Sequence, residues 1–258
     1  MSPSWREQVT IGLSPRQVTM RRYARGLRPV LKESRMFACR APVSGETWQP
    51  AIETLDAAMA GARGAGANIG VVLSNHFVRY LVLPWQPDLA NEQEESMFAR
   101  TKFLHAFGEA ARDWVMKTSC AKPGQSSVGC AVESALIEAL KSRLELAPFQ
   151  LRSVQPFLMA ACNARRKLPA GDAWIAIAES GRLLLGLMRE GQWVSLRSRH
   201  LHDGTELAPI IEQEALLVGV DAGTVYLHRL GEVALDLGGL KVRDWLSDGA
   251  ANRMGKAH

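Results

Sequence analysis

No apolar run in this chain approaches the ~20 residues a helix needs to cross a bilayer, and the opening MSPSWREQ has no signal-peptide hydrophobic core. The two absences give the expectation of a cytoplasmic protein. Cysteine is scarce: Cys39, Cys120, Cys130 and Cys162 form no C-x-x-C pair and no ligand spacing. That argues against a zinc site or a disulfide framework and for reduced thiols in the core. G-x-S-x-G, H-E-x-x-H and the Walker loop are all missing, so none of those chemistries has its nucleophile, metal pair or phosphate cradle. No catalytic residue is assigned. His200-Leu201-His202-Asp203 could offer two imidazoles and a carboxylate to a metal. The preferred reading is a strand end running into a helix start, with Asp203 and Glu206 as a D-x-x-E cap, and no metal site is assigned.

What is present is ordinary globular material. Apolar residues are 47% of the 258 and charged residues 22%, with a net charge of +5. A sizeable core is affordable, and an acidic partner or lipid headgroup is permitted but not demanded. The chain is organised around Ala173–Arg199, where the apolar runs Trp174–Ala178, Leu183–Met188 and Trp193–Leu196 are broken by Glu179-Ser180-Gly181-Arg182 and Arg189-Glu190-Gly191-Gln192. Both breaks have the make-up of tight hairpin turns. A helix from Glu206 to about Val218 and a strand at Thr224–Leu230 follow.

The same order occurs at the start. Gln8–Leu13 and Gln17–Tyr23 flank Ser14-Pro15-Arg16, and Ser34–Arg40 supplies a third strand. A helix from Trp48 to about Ala62, the Gly64–Gly66 turn and a strand at Ile69–Leu73 complete the unit. Two copies of strand-strand-strand-helix-strand predict a duplicated α/β fold with a cleft between its halves. Between them, Ser74-Asn75-His76 turns the chain into a strand at Phe77–Leu83, where Arg79 is the odd polar member of an apolar face. A long helix from about Asn91 to Arg112 starts with a capping-box pattern, Asn91 and Glu94. Its stripe is read as Met97, Phe98, Thr101, Leu104, His105, Phe107 and Ala111, which makes His105 a core histidine. Strands at Trp114–Thr118 and Val128–Val132, a helix at Ser134–Leu146, a strand at Phe149–Val154 and a helix at Gln155–Arg166 lead to the linker Leu168–Gly171. The tail after about residue 246 has no apolar pattern.

The loop carrying Arg21, Arg22, Arg25, Arg28 and Lys32, interleaved with Tyr23 and Leu27, could be a basic patch for nucleic acid or an anionic membrane surface. It lacks stacking aromatics, so a solvated loop is the preferred reading and no specific nucleic acid is expected.

The middle of the chain carries a resemblance. LSNHFVRYLVLPW, NEQEESMFARTKFLHAFG and VGCAVESALIEALKSRLELAPFQLRSVQPFLMAACN resemble the actin-like assembly proteins of type IV pili and type II secretion, of the PilM, GspL and MshI type. Arg79, Pro84, Glu94, Pro156 and Asn163 fall where that pattern wants them, over roughly residues 8–230. The resemblance implies an actin-like (ribonuclease H-like) duplicated fold. One lobe would span 1–167 with an inserted subdomain at about 77–132, and a second lobe 168–258.

Active members of that fold grip phosphates with two hairpins, each an acid followed two positions later by glycine. Here the first hairpin reads Gly12 at the acid position and Ser14 at the glycine position, and Pro15 removes an amide donor. The second keeps Glu179-Ser180-Gly181. The adenosine loop would fall at Leu230-Gly231-Glu232, with Gly238-Gly239 able to substitute only if the register slipped. Gly12, Ser14, Glu179, Gly181 and Gly231 are therefore read as vestigial nucleotide loops, and no cofactor is assigned, ATP with Mg²⁺ being disfavoured.

What the resemblance implies is a non-enzymatic scaffold or adaptor, a pseudo-ATPase, at the inner-membrane face. It would bind the cytoplasmic tail of a bitopic inner-membrane protein and an assembly ATPase. The alternatives are a nucleotide-binding ATPase or kinase of the same fold, and the basic-loop binder. A basic tail, as the positive-inside bias favours, would meet Glu92, Glu94 and Glu95 while apolar anchors insert beside Phe98 or Phe103. That places the peptide site beside the insert.

Overall fold

Two hairpins seed two sheets. The first joins β1 (Gln8–Leu13) to β2 (Gln17–Tyr23), antiparallel, with Gly12 opposite Thr19. Alternating burial lays Val9, Ile11 and Leu13 on one face. β3 (Leu31–Ala38) extends the sheet beyond β2. α1 (Gln49–Ala60) packs on β2 and β3, and β4 (Asn68–Leu73) returns parallel to β1. The computed structural model describes residues 7–24, 30–60, 67–119, 121–145, 150–165, 169 and 171–246. Arg25, Leu27 and Arg28 of the basic loop, the Gly64–Gly66 turn, Cys120, most of the linker and the tail lie outside the described residues.

Next come β5 (Arg79–Leu83), α2 (Glu92–Phe107), a 3₁₀ turn (Gly108–Asp113), β6 (Trp114–Thr118) and β7 (Ser127–Glu133). The three strands form their own sheet, ordered β5-β7-β6. α3 (Ser134–Glu145), β8 (Gln150–Pro156) and α4 (Phe157–Ala164) follow, and β8 adds parallel to β4. The first large sheet thus runs β3-β2-β1-β4-β8.

The second repeats it. β9 (Ala173–Glu179), β10 (Arg182–Arg189) and β11 (Gln192–His200) are antiparallel neighbours. β12 (Thr205–Glu206) leads into α5 (Leu207–Val218), then β13 (Thr224–Leu230), β14 (Leu235–Asp236) and β15 (Lys241–Asp244). β12 pairs with β14, while the main sheet runs β11-β10-β9-β13-β15. Numbered within each sheet, both orders are 3-2-1-4-5, the duplication the element order predicts.

By packing, the chain forms two units. Residues up to Val78 with Val132–Ala164 make the first, and Arg79–Ala131 with Arg165–Ser247 the second. The insert therefore leaves the chain of the first lobe in sequence and packs with the second sheet in space. In the second unit every residue of β9 is buried. On one face Trp174, Leu185 and Leu187 pack with Leu207 and Ile211 of α5 and Val225 of β13, each large side chain contributing about 1.5–3 kcal/mol by leaving water. On the other face Gly186 makes room for Trp193, since a Cβ there would lie 2.4 Å from the indole Cζ3.

The insert has its own core, and it corrects the helix reading. α2 buries Ala99 and Phe103, with Leu104 and Phe107 partly covered, whereas Met97 and His105 are exposed. Phe103 stacks on Phe107 with ring centroids 5.9 Å apart, and Phe107 meets Trp114 at 5.4 Å. Gly129 of β7 lets the sheet close on Phe103, whose Cε2 would be 2.9 Å from an added Cβ. The α-helix stops at Phe107 rather than Arg112 because Gly108 takes φ 69° and caps it through its N–H to the Leu104 carbonyl. The predicted Asp203/Glu206 cap fails too. Glu206 is the N-cap of α5 but makes no side-chain capping bond, having been drawn into β12.

Candidate functional site

The first phosphate hairpin is closed on itself. The Ser14 hydroxyl donates to the Gln17 carbonyl at 2.8 Å and accepts the Gln17 N–H at 3.2 Å. The Ser14 N–H donates to the same carbonyl at 3.1 Å. An added Cβ at Gly12 would lie 2.5 Å from Thr19 Oγ1 on the facing strand. The space a metal-holding carboxylate would start from is thus occupied from β2, and the Ser14 N–H, the Ser14 hydroxyl and the Gln17 N–H are spent inside the turn.

The second hairpin is a two-residue turn, Ser180-Gly181, with Gly181 at φ 82°. Glu179 is buried at the end of β9, opposite Arg182. Burial, reinforced by the charge of Arg79 and opposed by Glu179, pushes the Arg182 guanidinium below its ordinary pKa. Glu179 thus lies in the field of a half-buried arginine. Gly231 follows β13 at φ 80° and is exposed. Gly238 makes an Asx turn, its N–H donating to Asp236 Oδ1 at 2.9 Å, and passes α5 so closely that a Cβ would sit 3.1 Å from that of Ala208. Close packing accounts for that glycine.

At the start of α2 the capping box is realised. Asn91 Oδ1 accepts the Glu94 N–H at 3.0 Å, and Glu94 Oε2 accepts the Ala90 N–H at 2.8 Å. Glu94 Oε1 also accepts from Asn91 Nδ2 at 2.9 Å. Glu94 is therefore committed to the helix end, which corrects its assignment as a partner-facing acid. Glu92 and Glu95 are exposed, and Phe98 is half-buried beneath Lys102, whose Nζ sits 5.2 Å from the ring centre. Phe103 is fully buried in the insert's core, so it cannot serve as a surface anchor. Met97, 64% exposed, is the apolar side chain that the surface offers instead.

The basic loop is largely neutralised where it is described. Arg22 reaches Glu7 at 2.8 Å and Glu33 at 3.4 Å, Lys32 reaches Glu7 at 3.3 Å, and Tyr23 is buried. His200, His202 and Asp203 are exposed, with the His202 N–H donating to Thr205 Oγ1.

Sequence reasoning missed one site. In the second unit a cleft of about 360 Å³ opens between the insert and the edge of the second sheet. Tyr80 and Leu81 of β5, Phe107 of α2, and Leu184 and Leu196 of the second sheet give it an apolar lining. Its polar side holds Arg79, Arg197, Ser198, Arg199 and Glu214. Glu214 is 1% exposed. Its Oε1 accepts from Arg199 Nε at 2.8 Å and from Arg199 Nη2, while Arg197 Nε stands 3.2 Å from Oε2. The signal was present in the sequence. Glu214 interrupts the apolar face of α5 formed by Leu207, Ile211 and Ala215, and a carboxylate there needs cationic partners. Arg197 and Arg199, two apart on one strand, share the face that supplies them.

No protein-family model matches the sequence, and no curated protein matches it. Solved structures do match. The chain is similar to the cytoplasmic domain of EpsL, an inner-membrane component of the Vibrio cholerae type II secretion system, with a TM-score of 0.60 at 12% identity over 96% of this chain and 92% of that one. It is similar to a PilM–PilN type IV pilus biogenesis complex, with a TM-score of 0.56 at 15% identity over 86% and 68% of the two chains. A Bacteroides thetaiotaomicron protein of actin-like ATPase fold and unknown function gives 0.58 at 11% identity over 89% and 84%. The chain has the actin-like fold, and its structural neighbours include the pilus and secretion proteins its sequence resembles.

Proposed function

We propose that the protein is a non-catalytic actin-like adaptor of a pilus or secretion assembly. On this reading it engages the cytoplasmic segment of an inner-membrane partner. The observation that carries the proposal is the self-closed first hairpin, with Gly12 backed by Thr19 and Ser14 sealing the turn. Phosphoryl transfer depends on a positioned metal and open amide donors, and that hairpin offers neither a carboxylate nor a free turn. The fold shared with EpsL and PilM supports the adaptor role. The partner face is proposed on the insert, at Glu92, Glu95 and Met97 with the Lys102-covered Phe98. Glu94 belongs to the helix cap.

Mg²⁺-ATP tests this reading. No rise in melting temperature and no turnover above buffer are expected. A Mg²⁺-dependent shift would instead establish the nucleotide-dependent reading of the same fold. On the partner side, Glu92→Lys with Glu95→Lys should weaken capture of a basic cytoplasmic segment about tenfold or more, mainly through association rate and more at low salt. Unchanged capture by the folded double variant moves the site off the insert.

A further inference from the structure

We propose that the Arg197–Glu214 cleft is a second docking site, one that takes an acidic segment of a partner protein bearing an aspartate or glutamate beside an apolar side chain. It goes beyond the adaptor reading, because its chemistry is opposite to that of the acidic start of α2. Arg197 and Arg199 share the single carboxylate of Glu214 in the cleft, so a further anionic group is favoured there. Glu214 is already bound through Oε1 by Arg199. Arg197 meets Oε2 at 3.2 Å, but that oxygen has no aligned hydrogen bond, and the arginine side chain is 55% exposed. The Arg197 guanidinium is thus held in place by an ion pair that does not saturate it. A carboxylate can complete it with the parallel two-bond geometry that guanidinium prefers.

The apolar wall sets the rest of the ligand. Tyr80, Leu81 and Phe107 line the same cleft as Arg197, so the carboxylate's neighbour in an extended chain finds a hydrophobic seat. Two features favour a carboxylate peptide over a phosphorylated ligand. The fixed Glu214 charge beside Arg197 opposes a dianion more than a monoanion. The volume, near the lower end of the ~300–1,000 Å³ usual for ligand pockets, holds a pair of side chains rather than a nucleotide. Arg182 stands one hydrogen bond behind, its Nη1 donating to Ser198 Oγ at 3.0 Å, which stiffens that rim of the cleft.

The test uses the full chain and a fluorescein-labelled heptapeptide alternating aspartate with phenylalanine and leucine, read by fluorescence anisotropy. The same peptide with asparagine for aspartate should bind about tenfold more weakly or worse. Arg197→Glu should lose binding by at least about tenfold, and Arg35→Gln, an equally exposed arginine on β3, should not. A melting curve of each variant confirms folding, and Arg197→Gln with Glu214 intact serves if the charge reversal destabilises the chain. Equal binding of the asparagine peptide, unchanged affinity of Arg197→Glu, or no anisotropy change at millimolar protein overturns the proposal. Displacement of the peptide by low-millimolar inorganic phosphate overturns it in favour of a small-anion site. The Mg²⁺-ATP result and the Glu92/Glu95 result are independent of each of these outcomes.

Discussion

The two large sheets share one strand order and differ in what lies between their fourth and fifth strands. In the first, residues 74–149 intervene, carrying the insert and α3 before β8 returns. In the second, residues 231–240 suffice, without a helix, for β15 to add beside β13. That is close to the shortest link a parallel return allows. The duplicated part is therefore the sheet, set by a three-strand antiparallel start and a parallel return. The coverings are interchangeable. The insert, grown from the first lobe's link, packs with the second sheet, where β9 is buried on both faces while β1 keeps a half-exposed one.

The sharpest way to break this comparison is Phe103→Ala. Emptying the insert's central ring position should cost about 3–5 kcal/mol. Hydrogen exchange should rise through 79–131, with β1 and β4 staying protected. Equal loss of protection in β1 and β4 would mean that the insert does not open separately from the first unit. Next in size is Glu214→Gln, which strands two guanidinium groups at a buried partner and should cost about 1–3 kcal/mol, read as a lower urea midpoint. A double change with Arg199→Leu should recover part of it. Gly186→Ala and Gly12→Ala compare the hairpins directly. The first forces a methyl into the Trp193 ring and should cost about 1–3 kcal/mol. The second sets a methyl 2.5 Å from Thr19 Oγ1, which a turn about Thr19 χ1 can relieve, and should cost less than the first, about 1 kcal/mol. Reversed ranking would show that Thr19 cannot turn aside while the Trp193 ring can.

A smaller effect separates the acids of α2. Asn91→Ala removes the cap and should cost about 1 kcal/mol, measured by thermal denaturation, whereas Glu92→Gln should cost almost nothing. Smallest is a pH effect confined to the first unit. Hydrogen bonds from Arg40 and then from the Val43 N–H hold Glu46 down at about 2, against an ordinary 4.5. A depressed carboxyl contributes stability above its unfolded value and loses it as pH falls through the folded one. The melting temperature should therefore dip between about 4.5 and about 2, and Arg40→Gln should shallow that dip.

Much of the framework was legible because it is written locally. Gln8–Leu13, Gln17–Tyr23, Trp114–Thr118 and Thr224–Leu230 are the strands read from period and turn residues, to the residue. Reading failed where a distant partner decides. α2 has apolar and aromatic residues on two sides, and only the neighbouring sheet selects Phe103 over Phe98. β14 and β15 are too short to carry a period, and β12 exists only because β14 lies beside it. The acid positions were read by spacing, which cannot tell that Glu94 closes its own helix. Nor can spacing bring Arg197 and Glu214 together across a strand, a loop and a helix.

Ser14 supplies from inside the hairpin the contacts that a bound anion would supply from outside. A turn completed this way needs no anion to hold its shape. On the adaptor reading proposed above, the timing of partner docking would lie in the abundance of the partners and in the charges on their cytoplasmic segments.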